Sequence, residues 1–195
     1  MTYDIEYRYA LLNAALYEGR VIRGAWRAGQ ERACLLATLA PECGEAKDTD
    51  ACPAELMPPW LAELVPNIND NGSAAAWPAM TMRFARLIRA VPAIHPDRLD
   101  AVRAEWLYEC VVPLAVTGAW AACWMGAPPS VAELAANGAR SAVASAATTQ
   151  AAWAAQSAAR VASCGTWGTW ATSQASAWDF MTADLFTRIE REAGR

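Results

Sequence analysis

The chain has 195 residues, 55% hydrophobic and 18% charged, with a formal net charge of −4 at pH 7. That length suits one domain of roughly 100–200 residues and lets roughly 70% of the unfolded surface be buried, so folding needs neither a disulfide nor a metal. The acidic balance argues against a general nucleic-acid binder, which carries a basic face.

Much of the apolar share is alanine, the best helix former, and ten tryptophans stand beside five tyrosines and three phenylalanines. Small alanines with a few large indoles suit closely approaching helices. The expected fold class is therefore all-α, a single-domain multi-helix bundle spanning 1–195. A helix is predicted over 3–17, with Ile5, Tyr9, Leu12 and Leu16 on one face and Gly19 as its left-handed stop. The glycine-bracketed segment 19–29 is the one place where a short extended or hairpin structure is expected. Residues 30–40 read as a second helix ended by Pro41.

The 41–72 segment differs in character. Pro41, Pro53, Pro58, Pro59 and Pro66 keep its helices short, PPWLAELV (58–65) being the best of them. Its seven carboxylates against Lys47 leave six net negative charges, more than the whole-chain excess. It is expected to form a Pro-rich acidic surface excursion, closed by the turn Asp70-Asn71-Gly72.

Ser73 is a candidate N-cap for a helix over 74–90 that starts nearer Trp77 because of Pro78. Arg83, Arg86 and Arg89 recur at three-residue spacing and would form a basic stripe. Pro92 closes that helix, and Pro96-Asp97 opens the next, which bends near Pro113 and resumes through Trp120 and Trp124. The uncharged stretch 111–126 is too short, and too interrupted by Pro113 and Gly118, to cross a bilayer as a helix. Ser130 and Glu133 fit a capping box. They open an Ala/Trp-rich half, 130–193, expected as long Ala-rich helices that bury Trp153, Trp167 and Trp170. Its last helix carries Trp170, Trp178, Met181, Leu185 and Ile189 as an apolar stripe.

Catalytic and metal motifs are lacking. The six cysteines form no C-x-x-C, and the single histidine, His95, lies in an Ile-His-Pro turn. There is no phosphate loop, no nucleophile elbow and no H-E-x-x-H. No catalytic residue, metal or cofactor is assigned, and an enzyme is not expected. The residues that could meet a partner are the carboxylates Glu42, Glu45, Asp48 and Asp50 and the arginines Arg83, Arg86 and Arg89. Charge of this kind steers association with a surface of opposite sign. The N-terminus lacks the basic start and continuous apolar run of a signal peptide, so a cytoplasmic protein with reduced thiols is expected.

The order RACLLATLAPECG, ACPAELMPPWLAELVPNINDNGSAAAWP and then an Ala/Trp-rich tail resembles a family of uncharacterised phage and prophage proteins. The matching residues are Cys34–Pro41, Cys52–Ala62, Asp70–Pro78 and, more loosely, 130–180. A looser similarity runs to Ala-rich helical proteins described as immunity proteins. The resemblance implies a mobile-element accessory gene whose product binds and blocks another protein. On that basis the expected role is an inhibitor of a host defence system, an anti-CRISPR or similar anti-defence factor. Its partner would be a nucleic-acid-handling protein rather than nucleic acid itself or a membrane. An immunity protein against a cognate toxin, or a self-assembling structural protein, is the alternative.

Overall fold

The computed structural model describes residues 5–29, 31–117, 137, 154–159 and 170–194. Over these residues the protein is an all-α assembly with one two-stranded hairpin. Helix α1 (Ile5–Tyr17) buries Arg8, Leu12 and Ala15. It ends in a Schellman motif: Arg20 N–H donates to Ala15 O (2.8 Å) and Gly19 N–H to Leu16 O (3.2 Å). Gly19 takes the left-handed φ of +67° that this cap requires.

Strands β1 (Arg27–Ala28) and β2 (Arg32–Ala33) then pair antiparallel, with Arg27 opposite Ala33 and Ala28 opposite Arg32. The extended structure expected after residue 19 is present but reaches Ala33. Consequently the predicted 30–40 helix shrinks to α2 (Leu35–Leu39), with Cys34 Sγ accepting from Ala37 N–H at 3.5 Å. Pro41 both ends α2 and occupies the first turn of α3 (Pro41–Ala46), where its missing N–H is not needed. The hairpin is tied to the body through Asn69, whose side-chain amide donates to Ile22 O at 2.8 Å.

The 41–72 segment is not a surface excursion. Cys43, Leu56, Met57, Trp60, Leu61, Leu64, Val65 and Ile68 are all buried. Helix α4 (Pro59–Asn71) supplies most of them and carries Pro66 in its interior. The prolines leave the apolar faces of these helices intact, so the segment lines the core while most of its carboxylates face outward.

The Ser73 hydroxyl accepts from Ala76 N–H at 3.1 Å and fixes the turn that leads into α5 (Trp77–Leu87), whose N-cap position is Ala76 rather than Ser73. A single 3-10 turn (Val91–Ala93) leads to α6 (Pro96–Trp106). α6 passes into a π-turn over Leu107–Val111 and continues as helix through 117. Val112 N–H reaches back to Leu107 O. The extra residue of a π-turn lets the chain accommodate Pro113, which has no N–H for the Glu109 carbonyl.

Residues 154–159 are helical, with Ala154, Ala155, Ala158 and Ala159 buried in the common core. The last helix, α7 (Trp170–Ala193), lies against α4, α5 and α6. Its Trp178, Met181, Leu185, Phe186 and Ile189 are buried, bearing out that part of the predicted stripe. Among the described residues no helix is long and apolar enough to cross a membrane. The expectations for Trp120, Trp124, Ser130, Glu133, Trp153 and Trp167, and for the Trp170 side chain, lie outside the described residues.

Candidate functional site

α3 presents the acidic sequence to the surface in an ordered turn. Lys47 is its left-handed C-cap (φ 56°, ψ 39°) and donates its N–H to Cys43 O. Asp48 N–H also reaches Cys43 O at 3.2 Å. Asp48 Oδ1 then accepts from Asp50 N–H at 3.0 Å, an Asx-type turn that fixes the loop locally.

The four candidate carboxylates divide here. Glu42 faces inward to Arg8 in a two-pronged pair, Nη2 to Oε1 at 2.6 Å and Nη1 to Oε2 at 3.1 Å. Arg8 Nη1 also donates to Leu39 O at 3.1 Å. The Arg8 guanidinium holds the Glu42 carboxyl below its ordinary value, outweighing the opposing effect of partial burial. Glu42 thus ties α1 to α3, its carboxylate already engaged by Arg8. Glu45, Asp48 and Asp50 remain exposed. The structure adds Glu63 of α4, whose carboxyl is pushed up by partial burial and then by the negative charge of Asp50. The candidate face is therefore Glu45, Asp48 and Asp50, with Glu63 beside them. Nothing in the local sequence signals the approach of Glu63, thirteen residues after Asp50.

The basic stripe does not exist as a free surface. Arg83 grips α7, donating Nε to Glu190 Oε1 (2.9 Å), Nη2 to Glu190 Oε2 (2.7 Å) and to Thr187 Oγ1 (2.8 Å), and Nη1 to Ala183 O (3.2 Å). It also lies 5.7 Å from the Phe186 ring centre. Arg89 pairs with Glu6 of α1 at 2.9 Å and covers the Tyr9 ring. Three-residue steps drift by about 60° around a helix of 3.6 residues per turn. The two outer arginines therefore reach opposite neighbours, leaving Arg86 exposed between them.

His95 caps α6, its Nδ1 accepting from Asp97 N–H at 3.3 Å, and its side chain is 70% exposed. It borders a surface cleft of about 250 Å³ with Arg98 and Glu192, and these two are already paired with each other. A second cleft, of about 340 Å³, is lined by Leu56, Met57, Pro58, Pro92, Ile94 and Leu99 among others, with Glu55 as its titratable group. Cys43 and Cys52 are pushed up to about 11 and about 12, and Cys110 to about 12, in each case mainly by burial. These thiols stay protonated at neutral pH. Among the described residues no three His, Cys, Asp or Glu side chains converge as a metal site would need. Set against protein-family models, curated proteins and solved structures, the chain matches none of them.

Proposed function

We propose that this chain is a phage or mobile-element accessory protein that binds another protein and blocks a host defence system. The inhibited partner carries a basic, nucleic-acid-handling surface. The observation that supports the reading is the acidic face: Glu45, Asp48 and Asp50 stand exposed on a turn fixed by Lys47 and by the Asp48–Asp50 bond. A preformed acidic turn meets a basic groove without a large ordering cost, and its charges raise the association rate at low salt. The mechanism is occlusion, so it requires no catalytic group and no cofactor in this chain.

The experiment is an interference assay. The gene is expressed in a bacterium with an active CRISPR system, and the plating efficiency of a targeted phage is measured. Plating should rise with the native protein and fall back when Glu45→Gln, Asp48→Asn and Asp50→Asn are combined. The same triple variant should weaken binding to the captured effector and flatten its salt dependence. Unchanged plating across CRISPR and restriction hosts would reject the anti-defence role. Affinity for the effector that is indifferent to these three substitutions would reject the acidic face.

A further inference from the structure

Cys34, Cys43, Cys52 and Cys110 are all thiols, and two of them meet. Cys43 sits on α3, fully buried. Asp48 N–H reaches back to Cys43 O at 3.2 Å, and Cys52 N–H to Thr49 O at 3.0 Å. With the Asp48–Asp50 bond, these contacts fold the chain between Cys43 and Cys52 back on itself. The two cysteine side chains hydrogen-bond each other, and Cys52 Sγ also donates to Pro53 O at 3.9 Å. The other two thiols are engaged elsewhere. Cys34 Sγ is held at the start of α2, accepting from Ala37 N–H at 3.5 Å, and Cys110 hydrogen-bonds Asp184.

The pair joins a fixed residue to a movable one. α3 lies hard against its neighbours: a Cβ at Gly44 would come within 2.7 Å of Arg27 Nε and 2.8 Å of Ala37 Cβ. Cys52 stands instead in the turn before α4, half-buried. There the backbone can give the small amount that brings the sulfurs to the roughly 2.05 Å of a disulfide. Exposure also sets the order of chemistry. A reagent in solvent reaches Cys52 first, whereas Cys43 is reached through Cys52.

We propose that Cys43 and Cys52 form a reversible disulfide when the protein meets a low-molecular-weight disulfide as oxidant. The Cys52 thiolate attacks one sulfur of the oxidant, expelling a small thiolate and leaving a mixed disulfide. The Cys43 thiolate then attacks Cys52 Sγ and expels the second small thiolate. One S–S bond of the oxidant breaks and one forms in the protein. Two electrons pass to the oxidant, and the two protein thiol protons end on the released small thiols. Burial keeps both thiols protonated at neutral pH, so the bond forms slowly. The same property makes them poor leaving groups, so the bond also opens slowly. The ring closes over 43–52 and contains Glu45, Asp48 and Asp50. It thus staples the turn that carries the proposed docking face; that consequence rests on the docking reading, whereas the bond does not.

The test exposes the full-length protein to excess oxidised glutathione at mildly alkaline pH and then blocks the remaining thiols with N-ethylmaleimide. The product is digested with trypsin and a glutamate-specific protease and mapped by mass spectrometry. Cleavage after Glu42, Glu45, Lys47 and Glu55 separates Cys34, Cys43 and Cys52 into different fragments. Fragment Cys43–Glu45 should be recovered joined to Asp48–Glu55 and should part from it on reduction, with Cys34 blocked by maleimide. Cys34→Ser should leave this cross-link in place, and Cys52→Ser should abolish it. In the oxidised protein, amide exchange at Asp48 and Cys52 should slow by at least about 10-fold, because the ring limits local opening. Three results would overturn the proposal. One is a lasting glutathione adduct on Cys52 with Cys43 blocked by maleimide. Another is a cross-link through Cys34. The last is maleimide on both Cys43 and Cys52 after prolonged oxidation of the native protein. Absence of anti-defence activity would leave this map unchanged, so the two readings fail separately.

Discussion

Two carboxylates only 21 residues apart feel opposite fields, and pH separates them. Arg8 lowers Glu42, whereas burial and Asp50 raise Glu63. A carboxyl depressed by folding contributes stability above its ordinary value of 4.5 and loses it as pH falls through the lower, folded value. A raised carboxyl acts in reverse: its ionised form disfavours the fold at neutral pH, and protonation removes that penalty. Glu42→Gln should therefore cost about 1–2 kcal/mol at pH 7 through a lost charge-assisted bond and an under-satisfied Arg8. The cost should begin to shrink below pH 4.5, where the unfolded carboxyl takes up a proton, and vanish only below the lower, folded value, where the native pair is itself lost. Glu63→Gln should be neutral or slightly stabilising at pH 7. Urea melts of both variants at pH 7 and pH 4 check this, and equal effects of the two substitutions at pH 7 would contradict it. The sequence places both acids in one charged run; that one faces an arginine 34 positions upstream and the other a carboxylate across a turn is tertiary information.

Helix boundaries show where local rules suffice. Gly19 and the Pro96-Asp97 opening were readable because each acts on backbone groups within a few residues. The hairpin's extension to Ala33 depends on pairing across the chain, with Ala33 N–H donating to Arg20 O and Cys34 N–H to Trp26 O, so periodicity over 30–40 misassigned its first residues. The arginine stripe failed for the same reason, since the partners of Arg83 and Arg89 lie 107 and 83 positions away. α5 is thereby a strut between α1 and α7, not a basic face. Replacing Arg83 by alanine removes all four bonds to α7 and should cost about 2 kcal/mol. Arg86→Ala, at an exposed position, should stay within about 0.5 kcal/mol. Thermal melts of the two variants test the assignment, and equal costs would restore the stripe as a uniform surface.

At the scale of the whole molecule, α7 decides whether the earlier helices share one core. Trp178, Met181, Leu185, Phe186 and Ile189 are each at most 1% exposed, so the helix buries a complete apolar face against α4, α5 and α6. Phe186 packs on Phe84 with ring centres 6.1 Å apart, and the Trp106 indole N–H donates to Met181 O at 2.9 Å. Around this seam lie Arg83–Glu190, Arg98–Glu192, Arg188–Glu109 and Arg191–Glu105. Each pair keeps at least one exposed partner, so salt screens it and it contributes on the order of 1 kcal/mol or less. The apolar seam contributes more: truncating a buried tryptophan costs about 3–5 kcal/mol, a large share of the roughly 5–15 kcal/mol of a whole domain. If α7 completes the core, it cannot melt ahead of the rest. Scanning calorimetry should then show one transition with matching calorimetric and van't Hoff enthalpies. Trp178→Ala should lower that single transition as a unit, whereas molar salt should move it only slightly. A separate early transition that Trp178→Ala abolishes, leaving the main one in place, would mean that α7 is an appendage and that residues 5–117 hold a core of their own.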